Sequence, residues 1–310
     1  MTQEALPGVP APLREALAAV PVPQVTTVAG CDISWLSWGD AARQPVVFVH
    51  GGAAHSWWWS FTAPLLSDRY HVVALDLSGH GDSGHRAHYS FAGWVEEVAA
   101  VVERLPGGLP PIVVGHSMGG MVATLFALEH GSRMAGLISI DSPLSKADAA
   151  NFTKDNGVLA QTRSYSSRDE AVARFRLLPP QDVVADELLA HVARHSVAST
   201  GDGRWSWKFD AKVFLEHPED RPKDLLGVLD SLVCPLGVIA AEKSDVVPES
   251  DRERIADMAR TAPAERPVVY WPIDGGHHLM FDRPLELVAA IRDTIEEWRS
   301  RRKTAEEAGS

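Results

Sequence analysis

The sequence predicts an α/β protein built on a mostly parallel β-sheet that helices cover on both faces. Short, continuous apolar runs recur along the chain, for example at residues 45–49 and 71–77. Such runs are typical of strands that are buried on both faces of a sheet. Helical patterns separate these runs, and strands that alternate with helices predict a doubly wound parallel sheet.

Each element of this sheet can be placed from its pattern. The chain opens with two antiparallel strands, expected over 25–28 and 32–38 around Gly30. Further strands are expected at 45–49, 71–77, 112–114, 135–140, 236–240 and 267–271. Helices are expected near 91–104, 118–130, 249–260 and 285–302.

The alternation stops between residues 144 and 232, where no buried strand is evident. Amphipathic segments there favour helices near 145–160, 168–178, 184–197 and 220–230. We therefore predict a helical cap over 144–232, inserted into a core formed by 25–143 and 233–300. Residues 1–24, rich in Ala, Pro and Val, are predicted to form an N-terminal arm, and the charged residues 301–310 a frayed tail.

Composition excludes several classes of protein. The net charge of −12 over 310 residues argues against binding to nucleic acid or to an anionic membrane surface. The two cysteines, Cys31 and Cys234, lie far apart, so we expect neither a disulfide framework nor a zinc site, and a reducing cytoplasm fits. We find no secretory signal and no run of about 18 apolar residues that could span a membrane.

Residues 111–120 carry the most informative motif. A buried strand runs into the pattern Gly115-His116-Ser117-Met118-Gly119 and then into a helix. A sharp strand-to-helix turn would hold the serine hydroxyl at the edge of the sheet and direct the next backbone N–H toward a developing oxyanion. Side chains at the two glycine positions would collide with the neighbouring strand or helix.

Four further motifs follow the ends of predicted strands. They are the turn 50–52 with its His-Gly-Gly sequence, the Gly-rich loop 76–84, Asp245 in the segment 242–248, and His277 in the segment 274–278. Together with the serine motif, and in this order, they resemble the α/β-hydrolase superfamily of serine hydrolases with a helical cap, over about residues 25–300.

The resemblance implies a role for individual residues. Ser117 matches the nucleophile, His277 the general base and Asp245 the acid, while the backbone N–H groups of Gly52 and Met118 match the oxyanion hole. The chemistry is consistent with these roles, because a serine hydroxyl needs a base to take its proton and a carboxylate fixes the imidazole tautomer.

For two of these roles the sequence offers alternative residues. His278 competes with His277, but adjacent side chains in an extended loop point to opposite sides, so only one can face the serine. Asp141 and Glu242 compete with Asp245. Asp141 follows the predicted strand 135–140, where some members of this fold keep their acid.

Substrate contacts are less defined. The candidates are aromatic residues near the oxyanion turn and in the insert: Trp57, Trp58, His116, Trp205 and Trp207. For Trp57 and Trp58 a position in the core is the alternative. For Trp205 and Trp207 a cluster in the core of the cap is favoured over a substrate wall, and His116 is expected to pack in the core or line the pocket. For Arg174 and Arg176, a solvated helix face is favoured over contact with a substrate carboxylate.

The sequence thus predicts a cofactor-free serine hydrolase that cleaves a small to medium, mostly apolar carboxylic ester or lactone. No dinucleotide or Walker motif and no metal-ligand cluster is evident. The serine nucleophile disfavours haloalkane dehalogenases and epoxide hydrolases, which use aspartate. A carbon–carbon bond hydrolase, a perhydrolase or acyltransferase with the same triad, and a ligand receptor that retains the fold are the alternatives, and a homodimer is left open.

Overall fold

The computed structural model describes residues 8–145, 163–215 and 220–308. An eight-stranded sheet forms its centre. The strands are β1 (Val22–Val28), β2 (Cys31–Trp38), β3 (Pro45–Val49), β4 (His71–Leu75), β5 (Ile112–His116), β6 (Gly136–Ile140), β9 (Leu236–Ala241) and β10 (Val268–Ile273). Their spatial order in the sheet is β1-β2-β4-β3-β5-β6-β9-β10.

Strand β2 runs antiparallel to both of its neighbours, β1 and β4, and every other pair in the sheet is parallel. The predicted fold class, a mostly parallel doubly wound sheet, is confirmed. In a parallel sheet the carboxyl ends of the strands meet at one edge, which is where loops build a site in α/β folds.

Helices cover the sheet on both faces. They are α1 (Ala11–Ala18), α2 (Phe91–Arg104), α3 (Met118–His130), α7 (Glu249–Thr261), the short α8 (Leu279–Asp282) and α9 (Pro284–Ala308). The apolar run of β3 is continuous because both faces of this strand are buried. Val46 and Phe48 belong to the core cluster on one face, and Val47 and Val49 to the cluster on the other.

The inserted cap combines short helices with a hairpin. Its described elements are α4 (Arg168–Ala173), α5 (Asp186–His195), β7 (Val197–Ser199), β8 (Trp205–Trp207), α6 (Lys212–Leu215) and a 3₁₀ turn over Leu226–Ser231. The antiparallel pair β7–β8 was not predicted, because three-residue strands leave little periodicity to detect. The helix expected near 145–160 lies almost entirely outside the described residues.

Helices α1 and α9 occupy the described residues near the two ends of the chain. In the N-terminal arm, Leu13 on α1 is fully buried in the core, so this segment does more than lie on the surface. Helix α9 continues to Ala308, through the predicted frayed tail. Ion pairs one turn apart, such as Arg301 with Glu297 at 2.7 Å, support this extension. Within the described residues, none of the helices has the length and apolarity needed to cross a membrane.

Candidate active site

Ser117 occupies a strained turn between β5 and α3. Its backbone has φ 53° and ψ −122°, which L side chains rarely adopt. The neighbouring glycines permit this turn. A Cβ on Gly115 would lie 2.3 Å from the carbonyl oxygen of Gly119, and one on Gly119 would lie 2.3 Å from that of His50. The predicted serine elbow is therefore present, with a buried hydroxyl at the carboxyl edge of the sheet.

His277, in the loop after β10, faces the serine. Its Nε2 lies 3.0 Å from Oγ of Ser117, and its Nδ1 lies 2.6 Å from Oδ2 of Asp141. The serine O–H can donate to Nε2 while Nδ1–H donates to the carboxylate. The structure thus brings His277 to the serine, and His278 turns away, with its Nε2 3.0 Å from the carbonyl oxygen of Leu178.

The carboxylate beside His277 is Asp141, and the assignment of Asp245 to this position is corrected. Asp141 directly follows β6 and is fully buried. Its Oδ1 accepts the backbone N–H of Ala241 at 3.1 Å, so one oxygen is anchored while the other meets the imidazole. Its backbone φ of 40° points to a constrained turn.

The two aspartates differ in their distance from the strand ends. Asp141 is the residue directly after β6, which lies next to the strand that carries the serine elbow. Asp245 lies four residues beyond the end of β9, and its side chain is exposed at the wall of the adjoining cavity. The buried Asp141 carboxylate, and not the exposed Asp245, therefore contacts the histidine.

The two backbone groups predicted for the oxyanion hole flank Ser117. Met118 is the first residue of α3, and N–H groups in the first turn of a helix lack partners within the helix. Gly52 follows β3 in the turn that faces the elbow, and a Cβ there would lie 3.2 Å from the Phe214 ring. Both residues are thus placed where their N–H groups could serve an oxyanion above Ser117.

His50 holds the turn that carries Gly52. Its Nδ1 lies 2.7 Å from the carbonyl oxygen of Gly51, and its Nε2 accepts the backbone N–H of Leu77 at 3.0 Å. Burial lowers the pKa of His50 to about 4, so the ring is neutral and can donate at one nitrogen and accept at the other. His50 is therefore a structural residue of this turn.

Two cavities meet at this site. The larger, about 680 Å³, is lined by Ser117 and His277 together with Trp58, His116 and Phe214. The smaller, about 270 Å³, lies under the cap and shares Gly52, Trp58 and Leu178 with the larger one. The two cavities therefore adjoin at these three residues, and Ser117 lines the larger one.

The candidate substrate-contacting residues divide between wall and core. Trp58 lines both cavities, His116 the larger and Trp207 the smaller. Trp57 and Trp205 line neither. The Trp57 ring instead stacks on His195 of the cap at 3.6 Å, and the Trp205 ring lies beneath the Arg168 guanidinium, 5.9 Å from it. The prediction that Trp57 and Trp205 contact the substrate is therefore corrected, because both rings pack against side chains of the cap.

Sequence reasoning missed Phe214 and Gln181, which the cap places against the core. Gln181 accepts the backbone N–H of His278 at 2.7 Å and donates to its carbonyl oxygen at 3.1 Å. The cap therefore fixes the backbone next to the candidate catalytic histidine. No motif marks these two residues, because their importance depends on how the cap folds over the core.

Three histidines gather at the site, a cluster that the sequence did not reveal. Nitrogen atoms of His116, His277 and His278 lie within 4.8 Å of one another. Both ring nitrogens of His277 already face Ser117 and Asp141, and Nε2 of His116 bonds the His277 carbonyl oxygen at 2.9 Å. A metal bound here would have to displace the bond between His277 and Ser117, so these residues fit a proton relay better than a metal site.

Comparison with known proteins identifies the class. The sequence profile of the Alpha/beta hydrolase family matches residues 46–291, and the chain belongs to this family. An esterase of Mycobacterium tuberculosis is 27% identical over 89% of this chain and 90% of its own length. A pimeloyl-(acyl-carrier protein) methyl ester esterase of Vibrio cholerae is 30% identical over 61% of this chain and 67% of its own.

Solved structures agree on the fold. The crystal structure of E-2-(acetamidomethylene)succinate hydrolase superposes with a TM-score of 0.74 at 19% identity, covering 89% of this chain and 100% of that one. The relatives are esterases, and the prediction that this chain is an enzyme of the carboxylic ester hydrolase class is confirmed.

Proposed function

We propose that the protein cleaves a carboxylic ester or lactone through an acyl-enzyme on Ser117, with His277 as general base and Asp141 as the acid of the triad. One observation carries this proposal: an unbroken series of contacts from Oγ of Ser117 through both nitrogens of His277 to Oδ2 of Asp141, at 3.0 and 2.6 Å. All three side chains are buried, so the series is shielded from bulk water.

In the first half-reaction, Ser117 attacks the ester carbonyl as His277 takes its proton. The negative charge that develops on the carbonyl oxygen faces the N–H groups of Gly52 and Met118. Each such donor is worth about 3–4 kcal/mol of barrier in enzymes of this type. His277 then donates its proton to the leaving alcohol, and Asp141 stabilises the imidazolium that exists between these two steps.

In the second half-reaction, water takes the place of the alcohol. His277 removes a proton from the water, which attacks the acyl carbon, and the proton returns to Ser117 as the acid leaves. The larger cavity, at about 680 Å³, fits a small to medium acyl or alcohol group, and Trp58 and Phe214 give it an apolar wall.

A fluorophosphonate probe tests the nucleophile. The native protein should be labelled, and Ser117→Ala should not. Ser139→Ala is a matched control, because Ser139 is equally buried but lies on β6 rather than at the elbow. Absence of labelling in the native protein would rule out the serine mechanism.

A substrate panel tests the reaction type. Short-chain p-nitrophenyl esters should be hydrolysed by the native protein and not by Ser117→Ala. Turnover restricted to a vinylogous diketone would instead identify a carbon–carbon bond hydrolase. Probe labelling without hydrolysis of any ester, but with transfer to an added nucleophile, would identify an acyltransferase.

A further inference from the structure

The smaller cavity under the cap is lined by an unusual concentration of positive charge. Its basic residues are Arg163, Arg174, Arg176 and Lys208. Among the described residues that line it, none is acidic. The chain as a whole has 41 acidic and 29 basic residues, so this composition is opposite to that of the protein around it.

Two acids lie near this charge, and neither lines the cavity. Lys208 pairs with Asp82 at 2.6 Å. Hydrogen bonds from Ser166 lower the pKa of Glu170, and the charge of Arg174 adds to this effect. The basic residues of the cavity wall therefore outnumber the acids near them.

The arginines sit at the end of a short cap helix. Arg176 donates through Nη1 to the carbonyl oxygens of Ala173 and Phe175, at 3.0 and 2.6 Å, which leaves its other guanidinium nitrogens available. Arg174 is exposed beside it. The sequence favoured a solvated helix face for both residues, and the structure places both on the wall of the cavity.

The cavity adjoins the candidate oxyanion hole. Gly52, whose N–H is proposed to bind the oxyanion, lines both cavities, as does Trp58. A substrate whose carbonyl oxygen lies at Gly52 can thus place another of its groups among the arginines. At about 270 Å³, the space takes a small group rather than a long chain.

We propose that the smaller cavity is a subsite for a carboxylate group of the ester substrate, an assignment that rests on the proposed esterase function. A guanidinium group binds a carboxylate through two parallel hydrogen bonds, and Arg174 with Arg176 supplies two such groups. Tyr165, Phe175 and Trp207 add aromatic walls that suit the short aliphatic segment between the ester and the carboxylate.

Paired substrates test this proposal. We expect kcat/KM for p-nitrophenyl hydrogen glutarate, with its anion on the acyl half, to exceed that for neutral p-nitrophenyl valerate about tenfold or more. A third substrate, 4-carboxyphenyl valerate, carries the anion on the alcohol half. Preference for either charged ester supports the subsite and shows which half of the substrate occupies it. Preference for neither overturns the proposal.

Substitutions of single arginines show which residues cause the preference for a charged ester. Arg174→Gln and Arg176→Gln should each lower kcat/KM for the preferred charged ester about tenfold and leave hydrolysis of p-nitrophenyl valerate within about twofold. Arg104→Gln removes an exposed arginine at the end of α2, outside both cavities, and should change neither value. Equal losses on charged and neutral esters would also overturn the proposal.

The outcomes separate this proposal from the esterase function. If neutral esters are hydrolysed but no charge preference exists, the subsite fails and the esterase function stands. If no ester is hydrolysed, binding of monomethyl glutarate to Ser117→Ala by calorimetry still tests the subsite. Binding that Arg174→Gln weakens about tenfold supports it, and no measurable binding overturns it.

Discussion

Oδ2 of Asp141 lies 2.6 Å from Nδ1 of His277, although the two residues are 136 positions apart in the sequence. The carboxylate is fully buried, and its second oxygen accepts a hydrogen bond from Ala241. An acid fixed in this way can hold the histidine in one tautomer without moving during the reaction. The contact therefore links the end of β6 to the loop after β10 across the site.

The role of His50 gives the first prediction. Replacing it with Ala removes both the bond to Gly51 and the bond from Leu77, so the turn that carries Gly52 loses its anchor. We expect kcat to fall about tenfold to a hundredfold, since a misplaced oxyanion donor weakens stabilisation of the transition state more than substrate binding. Steady-state kinetics with a p-nitrophenyl ester would show this as a kcat effect with little change in KM.

The control is His71→Ala, because His71 is equally buried but lies at the amino end of β4, away from the site. It should leave kcat within about twofold of the native value once the protein is folded. An equal fall in both variants would mean that loss of a buried histidine, and not loss of the anchor, is responsible.

The close approach at Gly119 gives the second prediction. A Cβ there would lie 2.3 Å from the backbone oxygen of His50, and backbone atoms cannot turn aside as a flexible side chain can. We expect Gly119→Ala to lower the free energy of unfolding by about 2 kcal/mol or more, which urea denaturation would measure. At Gly93 in α2, an added methyl group meets only the Ser90 hydroxyl, at 3.0 Å. Gly93→Ala should therefore change stability by about 1 kcal/mol or less.

Buried histidines give the third prediction, on pH. Burial is the main cause that lowers the pKa of His50 and His191 to about 4, whereas in the unfolded chain a histidine titrates near 6.5. Between pH 6.5 and 4 the unfolded state then binds more protons, so the folded state loses stability as pH falls. Asp76 acts in the opposite sense. Burial raises its pKa to about 6, so its contribution is present at low pH and is lost as pH rises toward 6.

Burial raises the pKa of three described carboxyl groups, Asp76, Glu97 and Asp282, and lowers that of eight described histidines. Because the histidines outnumber the acids, we expect the Tm to fall between pH 7 and pH 5. Thermal denaturation of His191→Gln should show a smaller decrease over this range than the native protein. Arg104→Gln, an exposed substitution at the end of α2 that removes no group titrating in this range, should leave the decrease unchanged. A Tm that rises on acidification would contradict this explanation.

The sequence predicted those parts of the site that depend on local geometry. Ser117 could be identified because the strand, the two glycines and the helix of its elbow are contiguous, and the sheet could be identified from its apolar runs. The choice between Asp141 and Asp245 could not be made in this way. Both follow parallel strands, and only the folded loops show that Asp141 is buried against His277 while Asp245 is exposed.

The cap was harder to predict for a different reason. Trp57 and Trp205 are aromatic residues of the kind that often line pockets. The Trp57 ring instead contacts His195 of the cap, and the Trp205 ring contacts Arg168 within the cap. Such pairings join residues that are distant in sequence and carry no periodic signal. The arginine-lined cavity likewise becomes visible only when the cap is folded over the oxyanion turn.

Separate replacement of the two aspartates tests the central claim most directly. We predict that Asp141→Asn lowers kcat for a p-nitrophenyl ester about a thousandfold or more, since the amide cannot stabilise the imidazolium. Asp245→Asn, at the exposed wall of the cavity, should stay within about threefold of the native kcat. Circular dichroism should show both variants folded. A severe loss in Asp245→Asn together with near-native activity in Asp141→Asn would contradict the triad described above.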